Sequence, residues 1–202
     1  MDIIIESVKK IEKLLEHSGC SEGDVLLDVN PDAKNCQYEK GACMTASFGG
    51  RTADFVTFDP IRAMTKISFM YGAPLDTPAT RGAAAAIINV VTGFFCLSRI
   101  LHACRASCHA SCLAELKQEI RGKKIFCAGS MPVIERESVG LIVSDPKDAD
   151  IILINGEGIT LAETGSLLEQ YARHDRILFI GSSVAGVSRL HEFRLWCPYG
   201  RF

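Results

Sequence analysis

Three cysteines recur at four-residue spacing in the segment from Cys104 to Cys112. On a helix, a step of four residues leaves a drift of about 40°, so Cys104, Cys108 and Cys112 share one face. His109 is an i, i+3 neighbour of Cys112 on that helix. Thiolate and imidazole groups bind soft metals, so these four side chains are candidate ligands for a divalent soft metal ion.

Close helix packing is the other explanation of the same cysteines. The positions around them are mainly alanine and serine, and a cysteine without a ligand behaves as a small, readily buried apolar residue. Metal motifs more often hold cysteines about two to four residues apart on a turn, with a second pair elsewhere. Packing is therefore favoured over metal binding.

A second group of candidate residues follows three short apolar runs in the second half of the chain. If these runs are strands of a parallel sheet, ligands bind beyond their carboxyl ends. Glycine there lets a ligand approach the backbone closely, although glycine and serine are also common in ordinary strand-to-helix turns. With Asn89 from a preceding helix, the candidate ligand-binding residues are Asn89, Gly129, Ser130, Asn155, Glu157, Gly181 and Ser182.

Several familiar catalytic motifs are missing from the sequence. No Gly-x-Gly-x-x-Gly follows an expected strand, which weakens a dinucleotide-binding interpretation. The segment Gly181 to Ser188 has the glycine spacing of a P-loop, but Val187 stands where the phosphate-binding lysine is needed. None of the five histidines lies in a nucleophile-elbow context. Catalytic residues are therefore not assigned, and whether the protein is an enzyme stays open.

Composition narrows the class of protein. The chain has 202 residues and a net charge of −2, which argues against general affinity for nucleic acid or membranes. Its first residues lack the basic and apolar regions of a signal peptide, so a cytoplasmic location is expected. Nine cysteines, an odd number, then indicate reduced thiols. The uncharged run from Gly82 to Ser98 is too short for a membrane span and predicts a buried helix.

The first part of the chain, residues 1–78, predicts a small α+β unit. Apolar residues at helical spacing predict an amphipathic helix over residues 3–17. Asp59–Pro60 fits a helix start and predicts a second helix, which carries Ile61, Met64, Ile67 and Phe69 and stops before Gly72. Three strands are expected between these helices, with Gly49–Gly50 as the hairpin turn between the last two: Asp24 to Val29, Gly41 to Phe48 and Thr52 to Phe58.

The remaining part, residues 79–202, predicts a helical segment followed by a Rossmann-like domain, so the fold class is α/β. One helical block is expected from Thr80 to Glu119. A helix from Ile159 to Arg173 lies between two apolar runs and implies a right-handed β-α-β unit. Runs without polar alternation indicate strands buried on both faces, as in parallel sheets. The expected strands are 123–128, 139–143, 150–155, 176–181 and 193–197.

Several segments together resemble a known family. They are Glu39 to Ala46, Tyr71 to Leu75, Arg81 to Asn89, Cys127 to Ile134, Asp148 to Gly156, Thr160 to Leu168 and Ile180 to Ser183. They are similar to the heavy-metal chelation family, uncharacterised proteins that pair an enolase-N-terminal-like domain with a Rossmann-like one. The resemblance covers about residues 37–187 and implies a cleft between two domains, without an established reaction.

Two functional hypotheses follow. The leading one is a cytoplasmic small-molecule or metal-binding protein acting in cofactor or metal metabolism. Its site would lie in the cleft between the helix starting near Gly82 and the strand ends. If the protein is catalytic, group transfer or metal insertion is the expected chemistry, because a thiol-rich chain tolerates soft metals. The alternative is a non-catalytic homo-oligomer whose cysteine-rich helix forms the subunit interface.

Overall fold

The computed structural model describes residues 2–36, 41–171 and 175–201. Their α-helices are α1 (Ile3–Leu15), α2 (Pro78–Phe94), α3 (His109–Glu119), α4 (Pro132–Glu137), α5 (Gly156–Thr160), α6 (Thr164–Tyr171) and α7 (Ala185–His191). Their strands are β1 (Asp24–Val29), β2 (Met44–Phe48), β3 (Arg51–Phe55), β4 (Ala63–Lys66), β5 (Ile125–Ala128), β6 (Ile151–Ile154), β7 (Ile177–Ile180) and β8 (Leu195–Trp196). The fold is α/β, as the sequence predicts.

The first sheet is antiparallel, with strand order β3-β2-β1-β4. Gly49 and Gly50 both have positive φ and form the hairpin turn between β2 and β3, where glycine carries no steric penalty. Val25 and Leu27 of β1 are buried, whereas Leu26 between them is exposed. This alternation leaves one face of the sheet open to solvent and packs the other against α2.

The helix expected from Asp59 through Phe69 is wrong. Residues of this segment form β4, which pairs antiparallel with β1, followed by a 3₁₀ turn at Ile67–Met70. Met64 and Phe69 occupied the apolar positions of the expected helix, yet they are 76% and 77% exposed. Pairing with β1 gives the backbone its hydrogen bonds, so the strand forms without burying these side chains.

Helix α2 lies between the two sheets. Thr77 caps its first turn by accepting a hydrogen bond from the Thr80 backbone, and Pro78 occupies the first helical position. Every residue from Arg81 to Gly93 is buried, so the helix is enclosed all round. One hydrophobic cluster therefore runs from the antiparallel sheet through α2 to one face of the second sheet.

The single helical block expected from Thr80 to Glu119 is also wrong, because the chain leaves the helical path after Phe94. The backbone N–H groups of Leu97 and Ser98 both donate to the Thr92 carbonyl, and Cys96 has a positive φ. Further on, His102 exchanges backbone hydrogen bonds with Arg201. These tertiary bonds replace the helical ones, and the helix resumes only at His109.

The second sheet is parallel, with strand order β5-β6-β7-β8, and gives the second part of the chain its Rossmann-like character. All four residues of β6 and all four of β7 are buried, which confirms that they are adjacent central strands covered on both faces. The far face packs under α3 and α4 through residues such as Leu116 and Ile134. The run 139–143 contributes only one parallel bridge, between Ile142 and Ile125.

Two helices, α5 and α6, stand where one helix from Ile159 to Arg173 is expected. Helix α5 ends at Thr160, and Thr164 opens α6 while its hydroxyl donates to the Gly158 carbonyl at 2.5 Å. Arg173, the expected end, lies outside the described residues. None of the helices in the described ranges is long and apolar enough to cross a membrane.

Candidate functional site

A pocket with a cavity volume of about 260 Å³ lies at the carboxyl edge of the parallel sheet. Its floor is formed where β6, β7 and β8 end, and α3 forms one wall. A loop of the antiparallel half and the residue after β3 close the opposite side. The lining residues are Asn35, Cys36, Val56, Ala103, Cys104, His109, Ala110, Cys112, Leu113, Leu116, Val133, Asn155, Gly156, Ile180, Gly181, Ser182, Ser183, Trp196, Cys197 and Tyr199.

The strand ends keep their shape through a small hydrogen-bond network. Asn155, directly after β6, accepts from the Gly158 backbone at 2.8 Å and donates to the Ser130 carbonyl at 2.8 Å. Gly156 packs so closely on Ser183 that a Cβ atom there would lie 2.7 Å from the Ser183 Cβ. Gly181, directly after β7, has a φ of 91°, which a side chain would strain. These contacts fix the pocket floor.

Asn89 holds the pocket floor from behind and does not line the cavity. It is 1% exposed; its amide nitrogen donates to the Ser183 carbonyl at 2.7 Å, and its oxygen accepts from the Gly186 backbone at 2.8 Å. Ser183 in turn accepts a hydrogen bond from the Val56 backbone at 2.8 Å. Asn89 and Ser183 thereby connect α2 and β3 to the turn after β7. On the α2 side, Asn89 supports the pocket floor through these hydrogen bonds.

Glu157, Gly129 and Ser130 form a second structural group beside the pocket. The Glu157 carboxylate accepts from the Ser130 backbone at 2.7 Å, and neither residue lines the cavity. Gly129 has positive φ, and a Cβ atom there would lie 2.1 Å from the Asn155 side-chain oxygen. Of the predicted ligand-binding residues, Asn155, Gly181 and Ser182 thus line the pocket. The other four lie behind or beside its wall: Asn89, Gly129, Ser130 and Glu157.

The predicted stripe of three cysteines does not form. Helix α3 begins at His109, Cys108 precedes it as the cap residue, and Cys104 lies in the extended segment before the 3₁₀ turn. Cys104, Cys112 and His109 do line the pocket, whereas Cys108 does not. Among the residues that the structure describes, no group of three or more His, Cys, Asp or Glu side chains is arranged to hold a metal ion.

Three thiols of the pocket wall, those of Cys104, Cys112 and Cys197, are protonated at neutral pH. Burial raises the pKa of Cys197 to about 12, and the nearby Cys36, Cys104 and Cys112 raise it further. Burial also raises the pKa of Cys104 and of Cys112. These thiols are therefore weak nucleophiles and act as soft apolar contacts.

The other described residues of the wall include no carboxylate, ammonium or guanidinium group. Most of the exposed wall area is apolar. Tyr199 hydrogen-bonds to the Glu115 carboxylate, which raises the Tyr199 pKa and keeps its hydroxyl neutral. His109 Nε2 is buried without a hydrogen-bond partner in the described part of the chain. The pocket thus suits an uncharged ligand.

Sequence reasoning missed the residues that come from outside the expected strand ends. Asn35 and Cys36 lie on a loop before β2, and Val56 directly follows β3. Trp196 and Cys197 at the end of β8 carried a usable signal, because they end the last expected strand and Trp196 is the single tryptophan. The same carboxyl-end rule that selected Gly181 applied to them.

Comparison with known proteins adds no relative. No protein-family model matches the sequence. No curated protein and no solved structure matches it either. The resemblance to the heavy-metal chelation family therefore stays a prediction; Glu39 and Lys40, which open its first segment, lie outside the described residues.

Proposed function

We propose that this protein binds a small organic molecule in the pocket at the carboxyl edge of its parallel sheet. One observation carries the proposal: three strand ends, α3 and two segments of the antiparallel half converge on one cavity of about 260 Å³. This volume is close to the lower end of the roughly 300 to 1,000 Å³ usual for ligand pockets. The carboxyl edge is also where open α/β sheets bind their ligands.

The surroundings of the cavity support a binding role. A packing defect between two close-packed elements is usually small and scattered. Here the cavity is lined by two glycines that no other residue could replace without strain. Gly156 packs closely on Ser183, and Gly181 has a positive φ. The network around Asn155 and Asn89 keeps these glycines in place from two sides. A pre-formed wall of this kind lowers the entropy cost of binding.

The single tryptophan offers a direct test, because Trp196 lines the cavity. A library of small molecules is titrated against the protein while its intrinsic fluorescence is recorded. We expect binders to change the Trp196 emission, and Cys112→Phe, which fills the cavity from α3, to abolish the change. Ala114→Phe is the matched control, since Ala114 is exposed on the same helix and does not line the cavity.

Two results would contradict the proposal. One is a library in which no compound changes the Trp196 emission of the unmodified protein. The other is a set of binders whose affinity is the same for Cys112→Phe and for Ala114→Phe. Circular dichroism of both variants shows whether either substitution has disturbed the fold.

Binding of a soft metal ion is the second candidate function. The observation that favours it is that Cys36, Cys104, Cys112 and Cys197, from three separate segments, line one cavity. Binding would require the thiols to approach one another and to lose their protons. Their raised pKa values oppose that loss, which is why the organic ligand stands first.

Anaerobic titration with Cd²⁺, followed by the absorption of the thiolate-to-metal bond, tests the metal. If the pocket thiols bind it, Cys112→Ser weakens binding at least about tenfold, affinity falls as pH falls, and Cys108→Ser binds like the unmodified protein. Cys96→Ser is the control for exposed thiols. Equal binding by all three variants would remove the pocket as a metal site.

A subunit interface on α3 is the remaining alternative. Leu113 and Leu116 of this helix are covered within the chain, where they pack on the cluster under the parallel sheet. The apolar face that an interface would use is thus largely occupied. Light scattering on Ala114→Arg, an exposed α3 position, tests this alternative, because an interface through α3 predicts loss of an oligomer that the unmodified protein forms.

A further inference from the structure

We infer that the ligand is an uncharged, largely apolar molecule with one hydrogen-bonding group, such as an amide or ketone, which the Ser182 hydroxyl binds. This inference rests on the proposed function and narrows the class of molecule. It excludes nucleotides, carboxylic acids and amines from the same pocket. Three features of the wall carry it: its neutrality, the state of Ser182 and the size of the cavity.

Neutrality is the first feature. A charged ligand that enters a buried site loses its hydration, and only an opposite charge or several hydrogen bonds compensate that loss. In the part of the chain that the structure describes, the lining residues include no carboxylate, ammonium or guanidinium group. Cys104, Cys112 and Cys197 stay protonated because burial raises their pKa values. A carboxylate or an ammonium ion would therefore be bound far more weakly than its neutral analogue.

Ser182 is the second feature. It lines the cavity, is 4% exposed, and its hydroxyl forms no hydrogen bond with another described residue. The side chains of the adjoining turns are engaged: Asn155 bonds Gly158 and Ser130, and Ser183 accepts from the Val56 backbone. A serine hydroxyl both donates and accepts, so it binds a carbonyl or a hydroxyl equally well.

The third feature is the match between cavity size and wall chemistry. A volume of about 260 Å³ holds a single ring with a short substituent, and the wall offers it Trp196, Leu113 and Val133. The aromatic ring of Trp196 and the aliphatic side chains provide the contact area on which affinity for such a molecule depends. Ser182 then fixes the orientation of the polar substituent.

Four matched probes test the inference: phenylacetamide, ethylbenzene, phenylacetate and 2-phenylethylammonium. They share a ring and a two-carbon substituent and differ in polarity and charge. Binding is followed by Trp196 fluorescence and by calorimetry. We expect phenylacetamide to bind most tightly, and both ions at least about tenfold more weakly, because neither ion finds a counter-charge in the wall.

Substitution of Ser182 distinguishes its hydrogen bond to the polar group of the ligand from the apolar contacts of the ligand with the wall. We expect Ser182→Ala to weaken the binding of phenylacetamide about three- to tenfold. The affinity for ethylbenzene should be unchanged, which would also show that the pocket is intact. Ser166→Ala, at an exposed serine of α6, is the matched control and should bind all four probes like the unmodified protein.

The outcomes distinguish the inference from the proposed function. If phenylacetate or 2-phenylethylammonium binds as tightly as phenylacetamide, the inference is overturned and the pocket remains a binding site. If Ser182→Ala weakens the binding of phenylacetamide and of ethylbenzene equally, Ser182 does not bind the polar group of the ligand. If none of the four probes binds and the wider library also fails, the proposed function falls together with the inference.

Discussion

The two sheets of this protein meet solvent in different ways. The antiparallel sheet has one open face, on which Leu26 of β1 and Met64 of β4 are cross-strand neighbours and both exposed. The parallel sheet is covered on both faces, so its carboxyl edge, unlike its faces, is open to a ligand. The pocket therefore belongs to the parallel sheet, while the antiparallel sheet supplies only part of its wall.

The largest expected effect comes from a charge placed on each sheet. Ile152→Asp puts a carboxylate in the centre of β6, where every residue is buried, and should destabilise the protein by several kcal/mol. Met64→Asp introduces the same charge at an exposed position of β4 and should change stability by less than about 0.5 kcal/mol. Chemical denaturation measures both. Equal losses would contradict the difference between the sheets.

Two arginines provide the next comparison. Arg81 is buried, pairs with Asp2 and donates to the Thr160 carbonyl at 2.7 Å, so Arg81→Met should destabilise the protein by about 3 kcal/mol. Arg62 on the open face of the antiparallel sheet pairs with Asp28, but both side chains are largely exposed. We expect no measurable change in the unfolding midpoint of Arg62→Met. A small effect of Arg81→Met would show that the enclosed region tolerates loss of this ion pair.

His191 at the end of α7 should give stability a pH dependence. Burial lowers its pKa from 6.5 to about 4, and Ser7 of α1 lies 3.0 Å from its Nε2 atom. As pH falls below 6.5, the unfolded chain binds the proton first, so stability is lost between about pH 6.5 and pH 4. His191→Gln should remove about 1 to 2 kcal/mol of this loss, after allowance for partial exposure.

His17 is the matched control for that titration. Its side chain is 91% exposed, so His17→Gln removes a histidine without disturbing the packed core. Thermal denaturation of the three proteins across this pH range provides the measurement. Parallel curves for the unmodified protein and His191→Gln would show that His191 is not responsible.

The smallest expected effect concerns Glu157, which sequence reasoning assigned to the ligand. Because its carboxylate accepts from the Ser130 backbone beside the pocket, Glu157→Gln should cost about 1 kcal/mol of stability and leave the binding of phenylacetamide unchanged. Glu163→Gln, at an exposed position before α6, should leave both quantities unchanged. If Glu157→Gln lost ligand affinity without losing stability, Glu157 would be a ligand-binding residue after all.

The sequence predicted the elements whose local pattern and tertiary environment agree. The strands β6 and β7 are uniformly apolar, and β1 is marked by its β-branched residues and the turn after it. Errors arose where distant contacts decide the conformation. The segment after Phe94 has small, helix-compatible residues, yet its backbone pairs with Thr92 and Arg201. No local pattern reports a bond between residues about one hundred positions apart.

The sequence predicted where the candidate site lies, but not which residues line it. The carboxyl-end rule placed Gly181, Ser182 and Asn155 at the cavity, because strand ends are set by local sequence. It could not exclude Glu157, since whether a carboxylate bonds a neighbouring backbone depends on the turn geometry. Nor could it add Val56, which reaches the cavity only because the two sheets share α2.

The shared core also constrains how the chain folds as it is made. Helix α1 packs on α2 and α7, and its residue Ser7 contacts His191, which lies 184 positions later. Lys10 likewise donates to the Leu190 carbonyl at 2.7 Å. During synthesis, part of the apolar face of α1 therefore stays uncovered until α7 has left the ribosome. Exposed apolar surface of this kind promotes aggregation, so the nascent chain is most vulnerable to aggregation before its last helix can pack.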